Sequence, residues 1–446
     1  MQTPLPPPLS EATSSVSKKR EAGGITRWLS DKPATLTMYA SITAFAVYSC
    51  MYVFRKSFAA ATFSGNGTMF KEWLIISQAV GYALSKFAGI RVISEVSFHD
   101  RGQLIIKLMT IAAFAWVGFA LFPYPFNLVF TLLNGLMLGM IWGLVFGFLE
   151  GRQSTELMGA VLSVSFIVSS GFSRSTGAFL VQQWNIPDQW MPAVASGLFF
   201  IPLVLAVRLL EKVPPPNEQD ILLRTQRPPM PASRRKHFIR TFLPGIALFV
   251  PAYMLLTTFR DFRDNFSVEI WNEAGTVSVP DIFTRTELPV AFVILLVMAS
   301  LMLIRSNQKA LTIIHFIVLA GLGVIGLSMY LFTHRLISPF NWMVLTGTGL
   351  YMAYVPFNCL FFERLIAASR YPGTSGFIMY VADAMGYLGS VGILVIKIFA
   401  QPELNWLKVF IDFGAFTAGV GMILITGSLV YFQRKQLGYP VNIQGH

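Results

Sequence analysis

Two Phe-Arg pairs, Phe54-Arg55 and Phe259-Arg260, each lie near the end of a long apolar run, 205 residues apart. A guanidinium in or near bilayer hydrocarbon costs several kcal/mol, roughly 3 to above 10 by different measures. A chain keeps such a residue where it faces an aqueous cavity, a carboxylate or an anionic ligand. Arginine suits an oxyanion because its planar fork donates two parallel hydrogen bonds and stays charged at any working pH. The residues allow two readings. In one, Arg55 and Arg260 face a central cavity, with Tyr52 one turn from Arg55, and clamp an anion. In the other, Arg55 and Lys56 are snorkelling anchors at an interface. Arg260 then pairs with Asp264 inside a local cluster of Arg260, Asp261, Arg263 and Asp264.

Further charges sit inside apolar runs. Lys86, in Gly81-Tyr82-Ala83-Leu84-Ser85-Lys86-Phe87, is either a third positive group at the site or a snorkelling lysine. Arg174, in Ser169-Ser170-Gly171-Phe172-Ser173-Arg174-Ser175, has a serine rim that fits a cavity wall or a buried ion pair. Asp383 and Glu363 read as the intramembrane acids. Asp383 would partner a cavity arginine, carry a coupled proton or form a structural salt bridge. Trp142 follows Gly135 and Gly139, where small residues allow close helix approach and the indole would line the cavity. Glu150, in Glu150-Gly151-Arg152, suits a gate or a salt bridge between halves. The five histidines, at 99, 237, 315, 334 and 446, show no metal spacing, and no Walker loop is present. The expectation is a non-enzyme that uses no cofactor.

The elements that must position these groups are membrane helices. The 446 residues are 54% hydrophobic and 13% charged, about half the charge of a soluble domain, with 39 Phe and 9 Trp. Mean hydropathy is +0.59. A bilayer-crossing helix needs about 20 mostly apolar residues. Twelve such stretches run near 37–60, 72–93, 103–122, 126–149, 157–181 and 190–210, then 239–262, 285–304, 310–332, 339–362, 373–399 and 407–433. Residues 211–237, with Pro214-Pro215-Pro216 and Ser233-Arg234-Arg235-Lys236, read as a polar linker broken by proline. Residues 1–35 read as a polar tail with no signal peptide, and 435–446 as a second tail.

Basic loops stay cytoplasmic. Lys18, Lys19, Arg20, Arg27, Arg101, Arg152, Arg305, Arg434 and the linker basic residues all fall on one side, against Lys71, Arg285, Arg335 and Lys408 on the other. Both termini and the linker are therefore expected in the cytoplasm, with the protein in the cytoplasmic membrane. The net charge of +12 is a topology signal, not a nucleic-acid surface. Cys50 and Cys359 are too few and too apolar in setting for a disulfide framework or a metal site.

The expected fold is all-α: six spans, a basic linker and six more, with residues 36–210 and 238–434 as two halves related by a pseudo-twofold axis. That is the plan of the major facilitator superfamily, whose site lies between the halves near the midplane. Monomer is the default for this architecture.

The run Tyr52-Val53-Phe54-Arg55-Lys56-Ser57-Phe58 resembles the first helix of the organophosphate:phosphate antiporters, the major-facilitator family of the glycerol-3-phosphate and hexose-phosphate transporters. Gly81-Tyr82-Ala83-Leu84-Ser85-Lys86-Phe87 is similar to its second helix. Gly139-Met140-Ile141-Trp142 is similar to its fourth, and Pro372-Gly373-Thr374-Ser375-Gly376-Phe377 with Gly386-Tyr387-Leu388-Gly389 to its eleventh. The chain also resembles a bacterial major-facilitator branch without defined substrates. In the antiporter family one arginine each from helices one and seven binds the substrate phosphate, with a helix-two lysine nearby. The resemblance implies those roles for Arg55, Arg260 and Lys86, with Arg263 as the alternative on helix seven. The family's helix-five histidine falls near Ser169 or Ser170 here. The implied activity is secondary transport of a small organic anion, phosphorylated, by exchange with phosphate or by proton coupling. The alternative is a transporter-fold sensor.

Overall fold

The computed structural model describes residues 24–63, 69–152, 154–216, 220, 232–276, 279–368, 376–400 and 405–436. Among these, every regular element is a helix. Lipid offers no partners to backbone N–H and C=O groups, so segments this apolar must satisfy them internally, as a helix does. Ten helices are long and apolar enough to cross a membrane. Two more, Phe70–Glu95 and Gly376–Ala400, occupy the positions expected of spans 2 and 11. They are the helices that carry Lys86 and Asp383.

The spans pair by one rule, applied twice. Span 1 (Pro33–Lys56) packs on span 5 (Thr155–Gln182) and span 6 (Met191–Leu210); span 2 packs on span 4; span 3 (Arg101–Leu121) packs on spans 4 and 6. Adding six to each number gives the second half. Span 7 (Ala232–Asn265) packs on spans 11 and 12 (Trp406–Gln436). Span 8 (Ile282–Met302) packs on span 10 (Pro339–Pro356), and span 9 (Asn307–Thr333) on spans 10 and 12. The halves meet along two seams, span 2 with span 11 and span 5 with span 8. A twofold operation exchanges those two seams, so the pseudo-twofold relation between the halves holds across the described spans.

Several details differ from the expectations. Span 4 is two helices, Asn127–Leu138 and Ile141–Leu149. The break falls at Gly139, where a Cβ would lie 2.6 Å from the Tyr82 carbonyl of span 2. Close approach there requires bare backbone. Span 10 passes Pro356 into a π-turn, Phe357–Phe361, and then Phe362–Ala368. Proline lacks the N–H that an α-helical ladder needs.

Span 7 begins at Ala232, inside the stretch assigned to the linker, because Ala232–His237 continues the helix without a breaker. A short helix, Ser267–Glu273, follows span 7. Part of the expected N-terminal tail is helical too, as Gly24–Ser30 and the first turn of span 1. Residues 1–23, 217–219, 221–231, Pro372 to Ser375 and the tail from 437 onward lie outside the described residues.

Candidate functional site

The last turn of span 1 is fixed by its neighbours' polar groups. The Trp116 indole of span 3 donates to the Phe54 carbonyl at 2.7 Å, and Gln78 of span 2 donates to the Arg55 carbonyl at 3.1 Å. Gln78 is itself held by Asn134 of span 4 at 2.8 Å. Carbonyls at the end of a helix lack internal partners, so these bonds set where Arg55 points. Its guanidinium lies 4.0 Å from the centre of the Tyr82 ring and 5.7 Å from that of Tyr52. Arg55 is 8% exposed. Among the described residues its guanidinium has no hydrogen bond and no carboxylate in ion-pair contact.

Arg260 enters from the other half. It stacks on the Tyr354 ring at 4.4 Å and pairs with its chain neighbour Asp261 at 2.8 Å, not with Asp264. Asp261 also accepts from Ser390 of span 11 at 2.8 Å. Tyr52 and Tyr387 are electrostatic neighbours of both arginines. Arg55 and Arg260, one from each half, therefore share two tyrosine neighbours, although only Arg55 lines the cavity described below. Next to them Lys56 crosses between halves to Asn265 at 2.6 Å.

Lys86 pairs with Asp383, joining span 2 to span 11. Tyr253 donates to the same carboxylate at 2.6 Å and lies 3.3 Å from the Tyr354 hydroxyl. The Lys86 ammonium is 5.7 Å from the Tyr82 ring, whose other neighbour is Arg55. Arg55, Tyr82, Lys86, Asp383, Tyr253, Tyr354 and Arg260 thus form a nearly closed circuit. A cavity of about 30 Å³ lies beside it, with Arg55, Lys56, Gln78, Asp261, Asn265 and Ser390 among its walls. That holds a water molecule or two, so the walls are drawn together.

Arg174 and Arg263 are placed elsewhere. Both reach one oxygen of Glu287, at 3.0 and 2.7 Å, and Arg174 also lies 3.5 Å from Asp264. Ser170, near the position of the antiporters' histidine, donates to Asp264 at 3.0 Å. Both arginines are 1% exposed, and neither lines the cavity. Tyr52 packs with Tyr48 at 5.4 Å, beside Arg55. Trp142 stacks on Phe146 at 4.9 Å, away from the cavity walls. Glu150 ends the second helix of span 4 and is exposed, and Glu363 sits in the helix Phe362–Ala368. Beside Glu150, the Arg152 side chain donates to the Pro214 carbonyl, and burial holds its guanidinium below the ordinary arginine range.

The two ionic groups differ in balance. The cluster of Arg174, Arg263, Glu287 and Asp264 holds two cations and two carboxylates. The circuit and cavity hold four cations, Arg55, Lys56, Arg260 and Lys86, against two carboxylates, Asp261 and Asp383. Glu287 is absent from the acids picked out by sequence. It sits in Thr286-Glu287-Leu288-Pro289 at the start of its span, where an acid reads as an interfacial residue. The available signal was the rule that an ionisable residue in a span has a partner to be named.

Comparison with curated proteins finds no match. Solved structures share the fold. A bacterial homologue of the human drug peptide transporters PepT1 and PepT2 has a TM-score of 0.58 at 11% identity, over 90% of this chain and 99% of that one. The nucleoside transporter NupG has a TM-score of 0.55 at 15% identity, over 88% and 98%. A D-xylose-proton symporter has 0.56 at 12%, over 86% and 96%. Likeness at these identities speaks to architecture, and with the doubled pairing pattern it makes this a multi-pass membrane protein of major facilitator fold. A family model matches residues 57–435, and the chain belongs to that family, described as a family of unknown function, DUF5690.

Proposed function

We propose that this protein is a secondary transporter that moves a small organic anion, phosphorylated, across the cytoplasmic membrane by alternating access. One observation carries the reading: among the described residues Arg55 is a buried guanidinium without a carboxylate in ion-pair contact, in a site whose cations exceed its carboxylates by two. Burying an unpaired charge is expensive, and a phosphate monoester, close to doubly negative at neutral pH, supplies the missing counter-charge. Arg55 and Arg260 belong to different halves, so one anion held by both draws the halves together. Differential binding of this kind is what a ligand needs to drive a conformational change.

The pairs Lys56–Asn265 and Lys71–Glu269, the latter 2.6 Å long, join the halves at the end opposite the linker. Opening toward that end separates them. The termini and linker are assigned to the cytoplasmic side from the basic loops, and the working unit is taken as a monomer.

The test is uptake of labelled phosphate, glycerol phosphate and hexose phosphates into proteoliposomes. Uptake that depends on Arg55 and Arg260 supports the proposal. Binding without uptake would make the protein a sensor, and neither binding nor uptake of any anion would remove the anion reading.

A further inference from the structure

The ion pair Lys86–Asp383 lies on one of the two seams between halves. It is part-buried, with side chains 22% and 10% exposed. Among the described residues, few groups face Asp383. Span 2 presents Lys86 and Tyr82, span 7 Tyr253, span 10 Tyr354, and span 11 itself Tyr387. The helix Phe362–Ala368 also touches span 11 and carries Glu363 and Arg364, the latter bonded to Asn307. Lys86 is the one cation paired with Asp383 among the described residues, and Asp383 the one carboxylate paired with Lys86.

Both arms of the circuit end on this pair. From Arg55 the contacts run through Tyr82 to Lys86; from Arg260 they run through Tyr354 and Tyr253 to Asp383. An anion held between the arginines therefore competes with Asp383 for Lys86. When the anion takes the ammonium, the carboxylate loses its counter-charge and gains a negative neighbour, and both changes favour its protonated form. A protonated Asp383 conversely frees Lys86 for the anion. Linkage makes the two effects equal in size.

We infer that Asp383 is a proton-binding site coupled to anion binding through Lys86, so that the protein works as a proton–anion symporter; the inference rests on the anion reading of the cavity. On the entry side, the Asp383 carboxylate takes one proton from water, its bond to Lys86 breaks, and the ammonium turns to the anion without losing its charge. On the exit side, the anion leaves, Asp383 returns its proton to water, and the pair reforms. One proton travels with each anion, and nothing is oxidised or reduced.

Binding of labelled inorganic phosphate to purified wild type and Asp383→Asn, at two pH values about two units apart, tests the coupling. The titration of phosphate itself is common to both proteins and cancels in their ratio. The expected result is that wild type weakens relative to the variant as pH rises, by up to about tenfold per pH unit, the limit for one linked proton. The variant binds tightly at both values. A ratio independent of pH overturns the inference, as does a stably folded variant that binds more weakly than wild type at both.

Wild-type proteoliposomes give an answer independent of the variant. An inward proton gradient should drive phosphate accumulation, and phosphate uptake indifferent to the gradient overturns the coupling while leaving the anion reading intact. Phosphate ignored by both proteins at either pH overturns the anion reading, and this inference with it.

Discussion

Arg174 of the first half and Glu287 of the second are joined by a 3.0 Å ion pair, and Arg263 approaches the same carboxylate oxygen at 2.7 Å. The three side chains are 2% exposed or less. With Asp264, 3.5 Å from Arg174, they make a buried, charge-balanced lock across the seam between spans 5 and 8.

Removing one member of such a lock leaves the others uncompensated, at about 3–5 kcal/mol for a buried pair. Glu287→Gln should therefore lower thermal stability strongly in detergent. The double variant Arg174→Met with Glu287→Gln should recover part of that loss. A melting temperature unchanged by Glu287→Gln would show that the lock contributes nothing.

Among the described residues Arg55 makes no such pair, so its substitution should act on ligand and not on fold. Arg55→Gln should weaken phosphate binding about 10- to 150-fold, the equivalent of one charge-assisted hydrogen-bonding group at about 1.5–3 kcal/mol. Melting temperature should hold or rise, because an unpaired buried charge has been removed. Wild-type affinity in this variant would take Arg55 out of the site.

The end opposite the linker is closed by Lys71, 5% exposed, which reaches Glu269 at 2.6 Å and the Ala59 carbonyl at 3.0 Å. Lys71→Glu should loosen this closure, and the swap with Glu269→Lys should restore it. The readout is labelling of a cysteine placed at Asn265, 5% exposed in the closed structure, by a thiol reagent that does not cross membranes. Equal labelling in all three backgrounds would deny Lys71 a role in closure.

Close packing of spans 2 and 4 rests on Gly81 and Gly135, where a Cβ would run into the Leu132 and Gln78 carbonyls respectively. Gly135→Leu should abolish monodisperse expression. Gly323→Ala, in span 9 with nothing within 4 Å of the added methyl, should express normally and melt slightly higher, since alanine is the better helix former by about 1 kcal/mol. Similar behaviour of the two variants would mean that this packing is looser than the geometry implies.

The twelve spans were legible because lipid allows a long apolar run little choice but helix. Arg55, Arg260 and Lys86 stood out because charge is rare in such runs, and all three belong to one circuit of tyrosine and Asp383 contacts. The partners did not stand out. Arg260 chooses Asp261 over Asp264 because Asp264 is turned to Arg174 on span 5, a contact between residues 90 positions apart that no local pattern records. Arg263 looked interchangeable with Arg260, yet three residues along a helix turn it about 60° around the axis, and there it meets Glu287 instead of Asp261. The break in span 4 escaped notice because Gly139 allows two outcomes, an unbroken helix or a turn. The backbone of Tyr82 on the neighbouring helix decides between them.

The excess of two positive charges in the site has an electrical consequence. An ion moved through the full field of a membrane exchanges about 2.3 kcal/mol per elementary charge per 100 mV. With a doubly negative cargo and the Asp383 proton aboard, the site keeps about one net positive charge. With no cargo and Asp383 ionised, the full excess of two is subject to the field. Voltage should then act about twice as strongly on the return of the empty carrier as on the loaded step.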